Sequence, residues 1–394
     1  MNICTRMVTL ARLIPGAALL LILLPAHSTA LPRFALTMGA RCSSCHVNPT
    51  GGQLRNRHGF TFGAGTLPMP SHATDRDGTD DGGESALFDP RLTDHITIGG
   101  DLRSQFLYSP DADVSGFHMM TASVYGNLFL TEDISAYMKV DLVNNAYGPT
   151  GGPEVYMLAR VLPGRWYLKA GDFLPDYGMR IDDHTGFTRG GNLGFTPGSL
   201  AGAGLIFTPN YKDVGLEVGG SAGMFDASAG VFNGTGNARK IDLSGVKAVV
   251  ARVEVAASAG EVNLRLGTSG YLYDRYRMGA LHIGAGTGGF ALYGEIDFTR
   301  NRLDPSGFTI HTSADAMAAF GEADVLILKG LWLTAKGEVF DPSRGTPGDE
   351  VKRITAGFEI FPCPFVEIRT QYRFNIETPS VGNNTGLVQL HVWF

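Results

Sequence analysis

The sequence predicts an all-β fold, a transmembrane antiparallel β-barrel of about sixteen strands over residues 95–394. Two observations predict it. From His95 onward apolar and polar residues alternate with a period of two. In Val366-Glu367-Ile368-Arg369-Thr370-Gln371-Tyr372-Arg373-Phe374 the even positions suit lipid and the odd positions water. The strands also run about ten residues, the length a tilted strand needs to cross a bilayer, and are joined alternately by tight turns and long loops. A soluble sandwich would alternate similarly with its apolar face inside; the turn and loop pattern favours the membrane barrel. Apolar residues make up 44% of the chain, with 53 Gly and only 18% charged residues, which excludes a disordered protein. The net charge of −6, with no run of Lys and Arg, gives no basic face for nucleic acid.

The elements follow in chain order. Residues 1–30 read as a secretory signal peptide: Arg6 and Arg12, the apolar run Leu13 to Leu24, then Ser28-Thr29-Ala30, with the mature chain starting at Leu31. An apolar run of about twelve residues is too short for a spanning helix, which needs roughly 20. Residues 31–66 hold the stretch RCSSCHVNPTGG, Arg41 to Gly52. Cys42 and Cys45 lie at C-x-x-C-H spacing with His46 next to them. Two thiols so spaced can each form a thioether to a haem vinyl group while the adjacent imidazole reaches the iron as proximal ligand. The alternatives are a chance match, a redox pair or half a zinc site. Zinc needs a second pair, and a thioredoxin-like motif needs a βαβ context; neither is present. Of the other cysteines Cys4 leaves with the signal peptide and Cys363 is alone in a turn. One covalent haem c is therefore expected. Its distal ligand is left open among His58, Met69, Met38, His72 and an open or water-bound site.

A segment as short as 31–66 buries no independent core without a metal, disulfide or partner surface. Residues 67–94 read as an acidic Gly/Pro linker carrying Asp75, Asp77, Asp80, Asp81 and Glu84. The same inside-outside alternation is predicted at Ile134 to Leu142 (Lys139 and Asp141 inward) and Val262 to Leu266 (Asn263 and Arg265 inward). It recurs at Phe290 to Phe298 (Glu295 and Asp297 inward) and Leu331 to Val339 (Lys336 and Glu338 inward). Tight turns are expected at Thr131 to Asp133, Pro163-Gly164, Gly223 to Phe225, Ala257 to Gly260, Thr287 to Gly289, Lys329-Gly330 and Pro362 to Pro364. Longer loops are expected at Ser109 to Gly116, Asn144 to Gly152, Leu174 to Lys212, Gly234 to Ser244, Thr299 to Ala314, Asp341 to Asp349 and Asn375 to Asn384, with one short loop at Asp274-Arg275. That count gives an even number of strands with both ends periplasmic.

Three resemblances extend this reading. The end Leu387 to Phe394, a terminal Phe after alternating apolar residues, resembles the C-terminal signal of outer-membrane barrels. LKAGDFLPDYGMRIDDHTGFTRGG, Leu168 to Gly191, and AGVFNG, Ala229 to Gly234, resemble phosphate-selective porins of the O/P type. That resemblance implies a folded-in constriction loop from about Leu174 to Lys212, lined by Arg180, Asp182, Asp183, His184 and Arg189. LPRFALTMGARCSSCHVNP followed by RNRHGFTFG resembles the fused monohaem cytochrome–porins, the outer-membrane iron-oxidase group. It implies a small N-terminal haem c segment acting as a plug inside or under the barrel, in the outer membrane of a Gram-negative bacterium. The task implied is electron transfer between an extracellular donor or acceptor, ferrous iron included, and periplasmic c-type cytochromes or other electron carriers. Outer-membrane lipid is the surrounding partner. Two alternatives stand: a transport porin with a structural or sensory haem segment, and a peroxidase-like haem protein.

Overall fold

The structure is a computed structural model that describes residues 32–70, 89–143, 153–164, 166–190, 204–207, 211–234, 236, 242, 245–303, 310–312 and 314–394. The signal peptide, Leu31, His72, the linker acids Asp75 to Glu84 and the loop stretch 191–203 lie outside the described residues.

The chain forms a closed sixteen-stranded antiparallel barrel. Its strands are β1 Ile96–Ser109, β2 Val114–Phe129, β3 Ile134–Asp141, β4 Glu154–Ala159, β5 Tyr167–Phe173, β6 Asp213–Ala222, β7 Phe225–Phe232 and β8 Ala248–Ala259. Then come β9 Val262–Tyr273, β10 Tyr276–Thr287 and β11 Phe290–Arg300. The short pair β12 Arg302–Leu303 and β13 Ile310–His311 stands apart from the barrel as its own hairpin. The wall resumes with β14 Met317–Leu328, β15 Leu331–Asp341, β16 Val351–Ile360, β17 Val366–Ile376 and β18 Thr385–Trp393. Each barrel strand bonds to its two neighbours, and β1 closes on β18 from Asp101↔Trp393 to Tyr108↔Gly386. Closure leaves no unpaired sheet edge, which hydrocarbon cannot tolerate.

The faces are inverted relative to a soluble protein. Leu266, Leu281, Ile283 and Ile354 are exposed on the outside, while Lys139, Arg265, Glu295, Asp297, Glu338 and Arg353 are buried toward the lumen. This is the alternation expected at each of the stretches singled out above. Two loop expectations shift. The connection after β1 is a four-residue turn, 110–113, because β2 starts at Val114 and both strands continue past the expected break. The turn after β8 falls at Gly260 and Glu261, since pairing persists to Ala259↔Val262 and Gly260 supplies the positive φ of +61°. By the usual orientation, the short turns with both ends of the barrel are periplasmic and the long loops extracellular.

Candidate functional site

The segment 32–70 lies inside the barrel, toward the short-turn end, and its sequence explains the fit. Helix α1, Pro32–Met38, lies against β9, β10 and β11. Leu36 is fully buried there because β10 offers Gly284 and Gly286: a Cβ on either would stand 2.8 or 2.7 Å from Leu36 atoms. The Leu36 carbonyl accepts a hydrogen bond from Asn263 Nδ2 at 2.8 Å. Arg33 pairs with Glu359 and stands 3.7 Å from Asp324, its guanidinium lying 4.5 Å from the Phe34 ring and 4.9 Å from the Trp332 ring. Phe34 in turn meets Phe62, Trp332 and Phe361 edge-on.

The C-x-x-C-H motif forms the one-turn helix α2, Cys42–Cys45, closed by the His46 N–H donating to the Cys42 carbonyl at 3.0 Å. His46 then bridges Arg55 antiparallel, and the Asn56 N–H donates to the Cys45 carbonyl at 2.9 Å, so the chain folds back on the motif. Asn48 makes the fold-back possible by bonding Thr50 and the Gly51 carbonyl, and Gly51 and Gly52 follow at φ of +89° and +79°. Helix α3, Arg57–Thr61, is capped by Asn56 and presses Gly59 onto the motif: a Cβ there would be 2.2 Å from the Cys45 carbonyl oxygen. The motif is tied to the wall by Arg41, which donates to the Gly223 carbonyl and pairs with Asp226 at 3.1 Å, and by Arg160 donating to the Val47 carbonyl at 3.0 Å.

Two cavities flank the motif. One of about 560 Å³ is lined by Cys42, His46, Gly51, Met179 and Arg180; the other, about 200 Å³, by Cys45, His46, Arg55, Arg103 and His184. His46 lines both. It is 6% exposed, and its Nδ1 is buried with no hydrogen-bond partner among the described residues. Burial and the cations Arg55 and Arg180 push the imidazole down to about 3, so it is neutral, the form that ligates a metal. Burial pushes both thiols, Cys42 and Cys45, up to about 11. They are therefore protonated and inert as free nucleophiles near neutral pH. A neutral buried imidazole with an orphaned nitrogen, two thiols at the attachment spacing and a glycine cradle fit a covalent haem c.

Residues 174–190, after β5, fold into the lumen over this segment. Arg180 lines both cavities and lies against Gly52, where a Cβ would be 2.9 Å from its Nη2. Asp182 pairs with Arg103 on β1. Asp183 accepts from the Thr185 N–H at 2.9 Å and from Lys336 Nζ at 3.1 Å. Burial works against the Asp183 charge, yet Lys336, Arg373 and Thr185 hold its carboxyl well below the usual range. His184 is buried, and burial lowers its imidazole to about 4. Arg189 bonds Glu295 at 2.5 Å and the Met179 carbonyl at 2.8 Å. All five predicted constriction residues thus lie in the lumen.

The distal-ligand candidates sit elsewhere. His58 is exposed on α3, Met38 is 41% exposed, and Met69 is held at the periplasmic turns by its N–H donating to the Phe361 carbonyl at 2.9 Å. None of the three lines either cavity. Met179, His184 and His391 do; the first two come from a loop more than a hundred residues away and the third from β18, and no local spacing could have signalled them.

No protein-family profile and no curated protein sequence matches the chain. Solved structures do match in shape. The Pseudomonas putida OprB structure aligns over 76% of this chain and 94% of its own at 9% identity and a TM-score of 0.54. The outer-membrane channel DcaP of Acinetobacter baumannii aligns over 76% and 97% at 11% identity and 0.50. Salmonella typhi OmpF aligns over 76% and 97% at 12% identity and 0.50. Identities this low speak for the fold alone: the chain has the closed barrel of outer-membrane porins, and its outward apolar belt suits lipid.

Proposed function

We propose that the luminal segment would hold one covalent haem c through Cys42 and Cys45, with His46 available to bind its iron, and that the protein passes electrons across the outer membrane. The observation that carries this reading is the burial of Cys45 and His46 inside the barrel beside the half-buried Cys42, with the His46 Nδ1 unpartnered among the described residues. When bound, the haem supplies a one-electron iron couple. The chain's part is to hold and tune it. Arg55 and Arg180 place positive charge beside His46, which favours the reduced, less positive state. The aromatic group Phe34, Phe62, Trp332, Phe361 and Trp393 packs together at the periplasmic end, where a soluble cytochrome partner would dock. The extracellular partner is a donor or acceptor such as ferrous iron.

A second reading, a transport channel whose luminal segment is structural, draws on the porin-like fold and on a lumen lined with charged side chains. One experiment separates them. Haem-stained denaturing gels of the full chain should show covalent haem, lost in the Cys42→Ala/Cys45→Ala variant while heat-modifiable mobility of the barrel persists. In proteoliposomes, external Fe(II) should reduce a trapped cytochrome with the wild-type chain and no faster than empty vesicles with the variant. Equal rates for the two proteins, or solute uptake without haem, would favour the channel.

A further inference from the structure

We propose that the outer face of β10 and β11, at the extracellular rim, binds the phosphate of an outer-leaflet phosphoglycolipid of the lipid A class. The alternation that turns Leu281 and Ile283 toward lipid also turns Arg277 outward on β10, and the same parity turns Phe298 and Arg300 outward on β11. Register sets Arg277 directly opposite Arg300. Two like charges directly across a ladder destabilise it unless an anion lies between them.

A third guanidinium joins them. Arg344, in the loop between β15 and β16, donates its backbone N–H to the Asp315 carbonyl at 2.8 Å, and its guanidinium lies 5.3 Å from the Phe298 ring. These groups surround an outward groove of about 630 Å³. Asp315 is the acid on its lining, and its Oδ1 already accepts the Asn301 N–H at 2.9 Å. Among the described residues none of the three guanidiniums is ion-paired. Lys352, an exposed cation at the same rim on β16, is paired with Glu350 at 3.3 Å.

The groove floor has the shape for a lipid. Gly279 on β10 faces Gly270 on β9, and a Cβ on Gly270 would meet nothing within 4 Å, on Gly279 only the Ser269 carbonyl at 3.8 Å. This dent lies directly below the arginines and runs into the apolar belt at Leu281 and Phe298. A headgroup phosphate at the forked guanidiniums and an acyl chain along the dent would occupy both parts at once. Free phosphate would use only the first, so the occupant assigned is the lipid.

The test uses the full chain in nanodiscs, read by native mass spectrometry, with diphosphorylated lipid A, its dephosphorylated form and inorganic phosphate as probes. The wild type should retain lipid A, Arg277→Gln/Arg300→Gln should lose most of it, and Arg277→Lys/Arg300→Lys should keep part. Heat-modifiable mobility should stay unchanged throughout. Equal retention by the glutamine variant, equal binding of dephosphorylated lipid A, or displacement of lipid A by inorganic phosphate at matched concentration would each overturn the assignment. So would an equal loss in Lys352→Gln, because the effect would then be general rim charge.

Discussion

Gly286 on β10 shows how one residue fixes where the N-terminal segment sits. A Cβ at this position would come within 2.7 Å of the Leu36 side chain and 2.8 Å of its carbonyl carbon, and backbone gives way less readily than a side-chain tip. Gly286→Val should therefore push α1 off the wall at about 1–3 kcal/mol, the usual cost of overpacking a close contact. The barrel should survive, since the valine side chain projects into the lumen and leaves the β9–β10–β11 ladder intact. Limited trypsin digestion from the periplasmic side should then cut at Arg33 or Arg41, both buried in the native chain. Protection equal to wild type would mean that the helix is held by Arg33 and Phe34 alone.

At the scale of elements, the inward loop 174–190 is tied down by charge and hydrogen bonds as well as by the apolar packing of Leu174, Tyr177, Met179 and Phe187. Gly178 donates to Ser269 and accepts from Arg252, Arg353 donates to the Thr185 carbonyl, and the Phe187 N–H donates to Glu338. Asp183 is central to the set through Lys336 and Thr185. Its carboxyl is held below the ordinary range in the folded chain, so its contribution is complete above the unfolded value and is lost only as pH falls through the lower folded value. Exchange protection of the Thr185 amide, corrected for intrinsic rate, should stay constant from pH 7 to 5. In Asp183→Asn it should fall by roughly one to two orders of magnitude, the equivalent of the 1.5–3 kcal/mol of a hydrogen bond to a charged group. A pH-dependent loss in the wild type over that window would show the tether to lie elsewhere. The loop's ends were legible in sequence, because β5 stops at Phe173 and β6 starts at Asp213 where alternation stops and resumes. Its contact with the motif was not. The closeness of Arg180 to Gly52 joins two stretches that meet only because the wall between them is closed, and a pattern read along the chain carries no trace of that. For the same reason the distal-ligand candidates legible in sequence, His58, Met69, Met38 and His72, are those near the motif, whereas the cavities are lined by Met179, His184 and His391.

At the scale of the molecule, wall and luminal segment are separable in strand pairing, although side chains such as Asn263, Arg160 and Arg265 bond across from one to the other. The ladders of the sixteen barrel strands run only between one another, apart from a bridge of Thr97 to Arg91, and no residue of 32–70 enters a barrel strand. The final Phe394 makes reciprocal backbone hydrogen bonds with Gly100 at 3.1 and 3.2 Å, so the seam extends one residue past β18 without help from the N-terminal segment. What that segment supplies is filling: Leu36 beside Tyr293 and Phe320, and Phe34 among Trp332, Phe361 and Trp393. Removing it leaves buried lumen charges such as Arg265, Asp324 and Glu359 facing water, which solvates them, and not facing hydrocarbon, which would not. Deletion of residues 32–70 should therefore still give a heat-modifiable barrel in the outer membrane, with a lower thermal midpoint and a larger single-channel conductance in planar bilayers. Conductance equal to wild type would show that residues 174–190 set the narrowest point by themselves. Failure to assemble would make the N-terminal segment part of the folding route, and the separability argued from the strand pairing would be lost.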